Sequence, residues 1–170
     1  NHSTDRTLEI AREFPRVEIG THESNDSIDE LVLLARKNNC WKGTAADWVV
    51  VCDIDELIWP AEGVRSYLAS TPATVLKPRG YRMVSRSYPA SYRELRTACR
   101  FGVHDARYSK PCIFNPKLIE EMNFRPGCHS ARPTGRVVVA RTDELKLLHY
   151  DSLGLERMRE KHQQNGARVC

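Results

Sequence analysis

At 170 residues, with 41% hydrophobic and 28% charged side chains, the chain suits one domain, residues 1–170, with a sizeable core, and its composition excludes a disordered or low-complexity protein. A net charge of +4 is too mild to make nucleic acid an expected partner. No apolar run approaches the ~20 residues of a membrane span and no signal-peptide pattern opens the sequence, so a cytoplasmic setting is expected, with peripheral membrane contact left open.

The polar opening, Asn1 to Thr7, leads into Leu8, Ile10, Ala11 and Phe14, which share a helical face. Ser3 or Thr4 can cap that helix, and Asp5 suits its positive end, a place that can also face a phosphate or a sugar hydroxyl. Residues 16–20 read as a short strand. Residues 28–37 read as an amphipathic helix through Ile28, Leu31, Val32, Leu34 and Ala35. Then comes the unbroken run Trp48, Val49, Val50, Val51, Cys52, the pattern of a strand buried on both faces in a parallel sheet, with Cys52 as a small hydrophobe. Helix, strand, helix, strand in this order implies an α/β fold whose mostly parallel sheet is built by right-handed crossovers and flanked by helices.

Val64, Tyr67 and Leu68 predict a short helix over 63–69, followed by a strand over 73–77. Residues 78–109 lose both periods and read as a long irregular loop that helps shape a substrate site. Its arginines 79, 82, 86, 93, 96, 100 and 107 outnumber Glu94 and Asp105, which fits either an anionic partner or a solvated basic face. Residues 110–116 predict a strand, 118–122 a helical turn, and Pro126-Gly127-Cys128-His129 a turn presenting a histidine. Strands over 137–139 and 145–150 and a charged helix over 155–164 complete the chain. The six cysteines form no C-x-x-C pair and no zinc-like spacing, so free thiols in a reducing compartment are expected.

The charge concentrates at Asp53-Ile54-Asp55-Glu56. Alternation along an extended chain puts Asp53 and Asp55 on one side, and like charges this close repel unless a cation lies between them. Oxygen ligands favour Mg²⁺ or Mn²⁺; a solvated acidic turn is the plainer reading. His149 closes an apolar stretch. If its strand and that of residues 48–52 lie parallel in one sheet, their carboxyl ends share a rim. His149 is then expected within roughly 5–8 Å of the Asp55 carboxylate as a third metal ligand. Lys161, on the last helix, can reach phosphate oxygens.

Several of these stretches together resemble the GT-A-fold glycosyltransferases of the family-2-like branch. Ser3-Thr4-Asp5-Arg6-Thr7 is similar to that family's S-T-D-x-T loop, and Asp47 to Glu56 to its strand and D-x-D motif. Lys110-Pro111-Cys112-Ile113-Phe114-Asn115-Pro116, Pro126 to His129, and Leu147-Leu148-His149-Tyr150 with Lys161 downstream are similar to its later half. The resemblance implies a nucleotide-diphosphate-sugar donor held near Ser3, Asp5, Lys110 and Lys161. It implies Mn²⁺ or Mg²⁺ at Asp53, Asp55 and His149, and an inverting transfer to a glycan or lipid-linked acceptor in polysaccharide assembly. Asp105 and His129 are the positional candidates for catalysis. Family members begin with a strand and helix upstream of the S-T-D-x-T loop, so the chain is expected to be shortened at its N-terminus. Two alternatives are a haloacid-dehalogenase-like phosphatase with Asp53 as nucleophile, and a non-catalytic nucleotide-sugar-binding remnant.

Overall fold

The computed structural model describes residues 5–20, 30–60 and 62–166. The helices are α1 (Thr7–Arg12), α2 (Glu30–Asn39), α3 (Val64–Ser70), α4 (Tyr92–Ala98) and α5 (Leu155–Gly166), joined by 3₁₀ turns at Ala106–Tyr108 and Pro126–Cys128. The strands are β1 (Val49–Val50), β2 (Glu56–Trp59), β3 (Val75–Ser85), β4 (Phe101–His104), β5 (Ile113–Phe114), β6 (Ile119–Glu121), β7 (Thr134–Gly135) and β8 (Val139–Leu153). The main sheet runs β1-β5-β3-β8-β2, with β4 on the same edge of β3 as β5, while β6 and β7 pair separately. Among the described residues only β3 and β8 pair in parallel, and every other pairing is antiparallel.

This corrects the expected fold. The sheet is mixed and curls into a partial half-barrel, antiparallel strands dominate, and helix makes up only 28%. The reason is local. The apolar run at 48–52 forms just two residues of strand, at the edge of the sheet rather than its middle. Val50 is 43% exposed, and Cys52 is exposed too. The chain then reverses: the Glu56 N–H donates to the Asp53 carbonyl at 3.1 Å, and β2 returns antiparallel to β8 instead of entering a crossover helix. Residues 16–20 form no strand, and the helical turn expected over 118–122 is replaced by strand β6 at Ile119–Glu121. The expected Ser3 or Thr4 cap lies outside the described residues, as does Ile28.

The larger surprise is residues 78–109, which are structured. β3 continues to Ser85, and its residues from Val75 alternate only loosely between buried and exposed. Pro78 and Gly80 disguise the strand. Pro78 cannot donate to a ladder, and it falls where β3 has no neighbour on one edge, between the rungs to β5 at 75–76 and those to β4 at 81–84. On the other edge the β8 partner jumps from Thr142 to Lys146 between Pro78 and Arg79, looping out Asp143, Glu144 and Leu145 as a bulge. Helix α4 carries an S-x-x-E start, with the Ser91 hydroxyl accepting from the Glu94 N–H at 3.2 Å.

The core forms three clusters. Trp41, Val75, Phe114 and Phe124 pack on one side, with Trp41 edge-on to Phe114 at 4.9 Å. Leu76, Ile113, Leu145 and Leu147 pack against Tyr67 and Leu68 of α3. Met83, Cys99, Leu148 and Leu153 form the third.

Gly80 is fixed by close approach. A Cβ there would lie 2.2 Å from the Tyr108 carbonyl carbon and 2.4 Å from the Ser109 nitrogen, so the 3₁₀ turn rests on bare backbone. Gly80 also donates to Ser109 Oγ at 2.9 Å and accepts from the Asp105 N–H at 3.1 Å. Gly80→Ala is expected to cost about 1–3 kcal/mol by overpacking, read as a lower urea midpoint at unchanged slope.

Candidate functional site

The site grows from two registers. On one side of β8, Glu56 is the rung partner of His149; on the other, Arg82 of β3 is. Paired residues share a face of the sheet, so a carboxylate, an imidazole and a guanidinium line up across three strands. The turn before β2 brings Asp55 alongside, its carbonyl accepting from the Tyr150 N–H at 2.9 Å. His149 Nε2 lies 3.5 Å from Asp55 Oδ1 and 3.9 Å from Glu56 Oε1. His149 and Asp55 therefore meet, and more closely than expected. They meet through an antiparallel hairpin-like return, not a shared carboxyl rim, and His149 sits within β8 rather than at its end.

Asp151, two residues along the same strand, organises the other half. Its Oδ1 lies 3.4 Å from His149 Nδ1 and 3.7 Å from Arg82 Nε, and accepts from the Ser152 hydroxyl at 2.9 Å. Its Oδ2 accepts from the Tyr108 hydroxyl at 3.2 Å. Arg82 Nη2 donates to that same hydroxyl at 2.6 Å, which raises the guanidinium pKa further. The Tyr108 ring lies over His149, centroids 4.3 Å apart. The imidazole presents Nε2 toward Asp55 and Nδ1 toward Asp151, the latter without a hydrogen bond.

Beside this group lies a buried ion-pair network. Lys110 has a side chain only 4% exposed; its Nζ is 2.5 Å from Glu56 Oε1 and 3.1 Å from Asp53 Oδ2. Lys37, from the last turn of α2, pairs with the other Asp53 oxygen, and Glu56 Oε2 accepts from the Asp53 N–H at 3.0 Å. Burial pushes the Asp53 carboxyl up, but Lys37 and Lys110 more than reverse this and leave it below its ordinary range. Burial likewise opposes the Lys110 charge, and Glu56 and Asp53 outweigh it, raising its pKa.

The three expected metal ligands are not gathered. Residues 54–55 form a turn rather than extended chain, so alternation does not hold: Asp53 faces two ammonium groups while Asp55 faces His149. Among the described residues no three histidine, cysteine or carboxylate side chains are placed to hold one ion. Lys110, expected to help hold the nucleotide-sugar donor, pairs internally with Glu56 and Asp53. Asp105 caps the 3₁₀ turn and accepts from the Arg107 guanidinium at 2.7 Å; that guanidinium and the Arg107 N–H hold its carboxyl down to about 2, which makes it a poor base near neutrality. His129 follows Gly127, whose φ of 71° shapes the turn. Its Nδ1 is 2.6 Å from the Arg107 carbonyl oxygen and its ring centroid 6.2 Å from that of Tyr108, one ring away from His149. Asp5 is exposed and accepts from the Thr7 N–H in its own turn at 3.0 Å; Ser3 lies outside the described residues, and Lys161 lies on α5.

Sequence reasoning missed Lys37, Arg82, Tyr108 and Asp151. His149-Tyr150-Asp151 carried a signal, since residues two apart on a strand share a face. The other three depend on register and turn placement. No family model, no curated protein and no solved structure matches the chain.

Removing the Lys110 ammonium strands Glu56, whose side chain is fully buried. Lys110→Met is expected to cost about 3–5 kcal/mol near neutral pH. In the wild type the depressed Asp53 pKa contributes stability above the ordinary carboxylate range that is lost as pH falls through its folded value. The raised Lys110 pKa contributes stability below the ordinary lysine range that is lost as pH rises through its folded value. Urea denaturation checks both points: the midpoint of the variant should be lower near neutral pH, and that of the wild type should fall as pH drops below the ordinary carboxylate range and as it rises above the ordinary lysine range.

Proposed function

We propose that the chain is a glycosyltransferase that takes a sugar from a nucleotide-diphosphate donor and passes it to a hydroxyl of a glycan or lipid-linked acceptor. The supporting observation is the meeting of Asp55 and His149 at 3.5 Å, far apart in sequence, beside the Lys110 network. Arg82 and Lys37, with side chains 36% and 29% exposed, supply positive charge for a diphosphate. Asp55, with its side chain 34% exposed, is the carboxylate reachable by an acceptor hydroxyl. In this reading it takes the hydroxyl proton as the anomeric carbon leaves the diphosphate oxygen and bonds to the acceptor oxygen. His149, with Asp151 beside its Nδ1 and the Tyr108 ring over it, positions the Asp55 carboxylate. The phosphatase reading fits less well, because both oxygens of its nucleophile, Asp53, are engaged by lysines. Five free cysteines among the described residues accord with a reducing, cytoplasmic setting; no helix of the described residues is long and apolar enough to cross a membrane.

The test is a panel of nucleotide-diphosphate sugars, with nucleotide release and sugar transfer followed with and without manganese. The wild type should bind and turn over a member of the panel. Asp55→Asn and His149→Ala should each lower turnover by about 100-fold or more, with circular dichroism unchanged. Full turnover in both variants, or a beryllofluoride adduct on Asp53, would overturn the assignment.

A further inference from the structure

A second feature of β3 and β8 takes no part in the site above. At the interruption of their pairing lies a cavity of about 340 Å³, lined by Lys77, Arg79, His104, Arg141, Ser109 and Thr142 among others, with Asp143 the only acidic side chain on its wall among the described residues. The size falls within the ~300–1,000 Å³ of small-ligand pockets. Lys77 is the rung partner of Arg141, and Arg79 that of Lys146. Like charges directly opposite one another on a sheet are destabilising. Arg79 is offset by Asp143 at 3.4 Å, whereas Lys77 and Arg141 have no ion-pair partner among the described residues. The hydroxyls are equally disposed to an anion. Ser109 Oγ accepts from the Gly80 N–H at 2.9 Å, and Thr142 Oγ1 accepts from the Glu144 N–H at 3.1 Å, so each keeps its own proton to donate.

We infer that this pocket binds a phosphate monoester, its dianion held by Lys77, Arg79 and Arg141 and its oxygens hydrogen-bonded by Ser109 and Thr142. Cations and hydroxyl donors around a concave wall match a tetrahedral dianion better than a flat polyanion surface. The inference stands apart from the glycosyltransferase reading, since none of these side chains belongs to that site.

The full chain is titrated at low salt with inorganic phosphate and with glucose 6-phosphate, using calorimetry and amide chemical shifts. Saturable binding that moves the Ser109 and Thr142 amide resonances is expected. Lys77→Gln and Arg141→Gln should each weaken it about tenfold, and Arg141→Lys should keep most of it. Sedimentation with vesicles of phosphatidic acid in phosphatidylcholine, against phosphatidylcholine alone, distinguishes a lipid headgroup from a free ester, and binding of either kind with the same variant losses supports the pocket. The inference is overturned if neither form of monoester binds, if a single-stranded oligonucleotide binds where monoesters do not, or if the folded glutamine variants bind like the wild type. Because the amide shifts are read on the wild type, an unfolded variant leaves the test intact: shifts confined elsewhere also reject the pocket.

Discussion

A lysine ammonium buried to 4% exposure constrains everything near it. Desolvating that charge costs several kcal/mol, which only close, well-placed carboxylates can offset. Lys110 finds them in Glu56 and Asp53, so three segments are tied at once: the residues leading into β5, the first residue of β2, and the turn after β1. With Asp53 held from both sides by Lys37 and Lys110, the turn that follows has little freedom. Asp55 is carried toward β8 as a consequence. The carboxylate repulsion expected within the acidic run is resolved by dividing the acids between two sets of partners.

The long parallel pair of β3 and β8 supplies the frame, and its interruptions matter as much as its rungs. Beyond the bulge, the restored register sets Arg82 beside His149. At the bulge itself three residues of β8 loop out, and the cation-lined cavity lies beside them. Gly80 lies next to the same interruption and lets the Ala106–Tyr108 turn sit directly on the strand. That turn serves both places, laying the Tyr108 ring over His149 and directing Ser109 to the cavity wall. One strand irregularity thus positions two unlike electrostatic environments, one rich in carboxylates and one almost free of them.

The chemistry-bearing residues were partly legible because their types are unusual where they stand. Three acids after an apolar run, and a histidine closing another, are costly placements that need partners, and Asp55 and His149 do find each other. The inferred route between them was mistaken, because a continuous apolar run does not distinguish a central parallel strand from a short edge strand followed by a reversal. Residues 78–109 were misread for a related reason. Proline and glycine punctuate local structure, and nothing local says that Pro78 faces a gap in the ladder or that Gly80 receives another segment's backbone.

By itself, then, the sequence determined that charge gathers at residues 53–56, that His149 lies among apolar neighbours, that α2, α3 and α5 form near their expected positions, and that residues 78–109 carry an excess of arginine. Those properties follow from residue type and short-range periodicity. The tertiary structure alone decided that the sheet is mixed, that Lys37 and Lys110 rather than Asp55 and His149 flank Asp53, that Asp151 and Tyr108 lie against the imidazole, and that Lys77 and Arg141 face one another across a rung. Each of these rests on strand register, which is set by long-range pairing and shifted by bulges, and a shift of one residue exchanges the two faces of a strand.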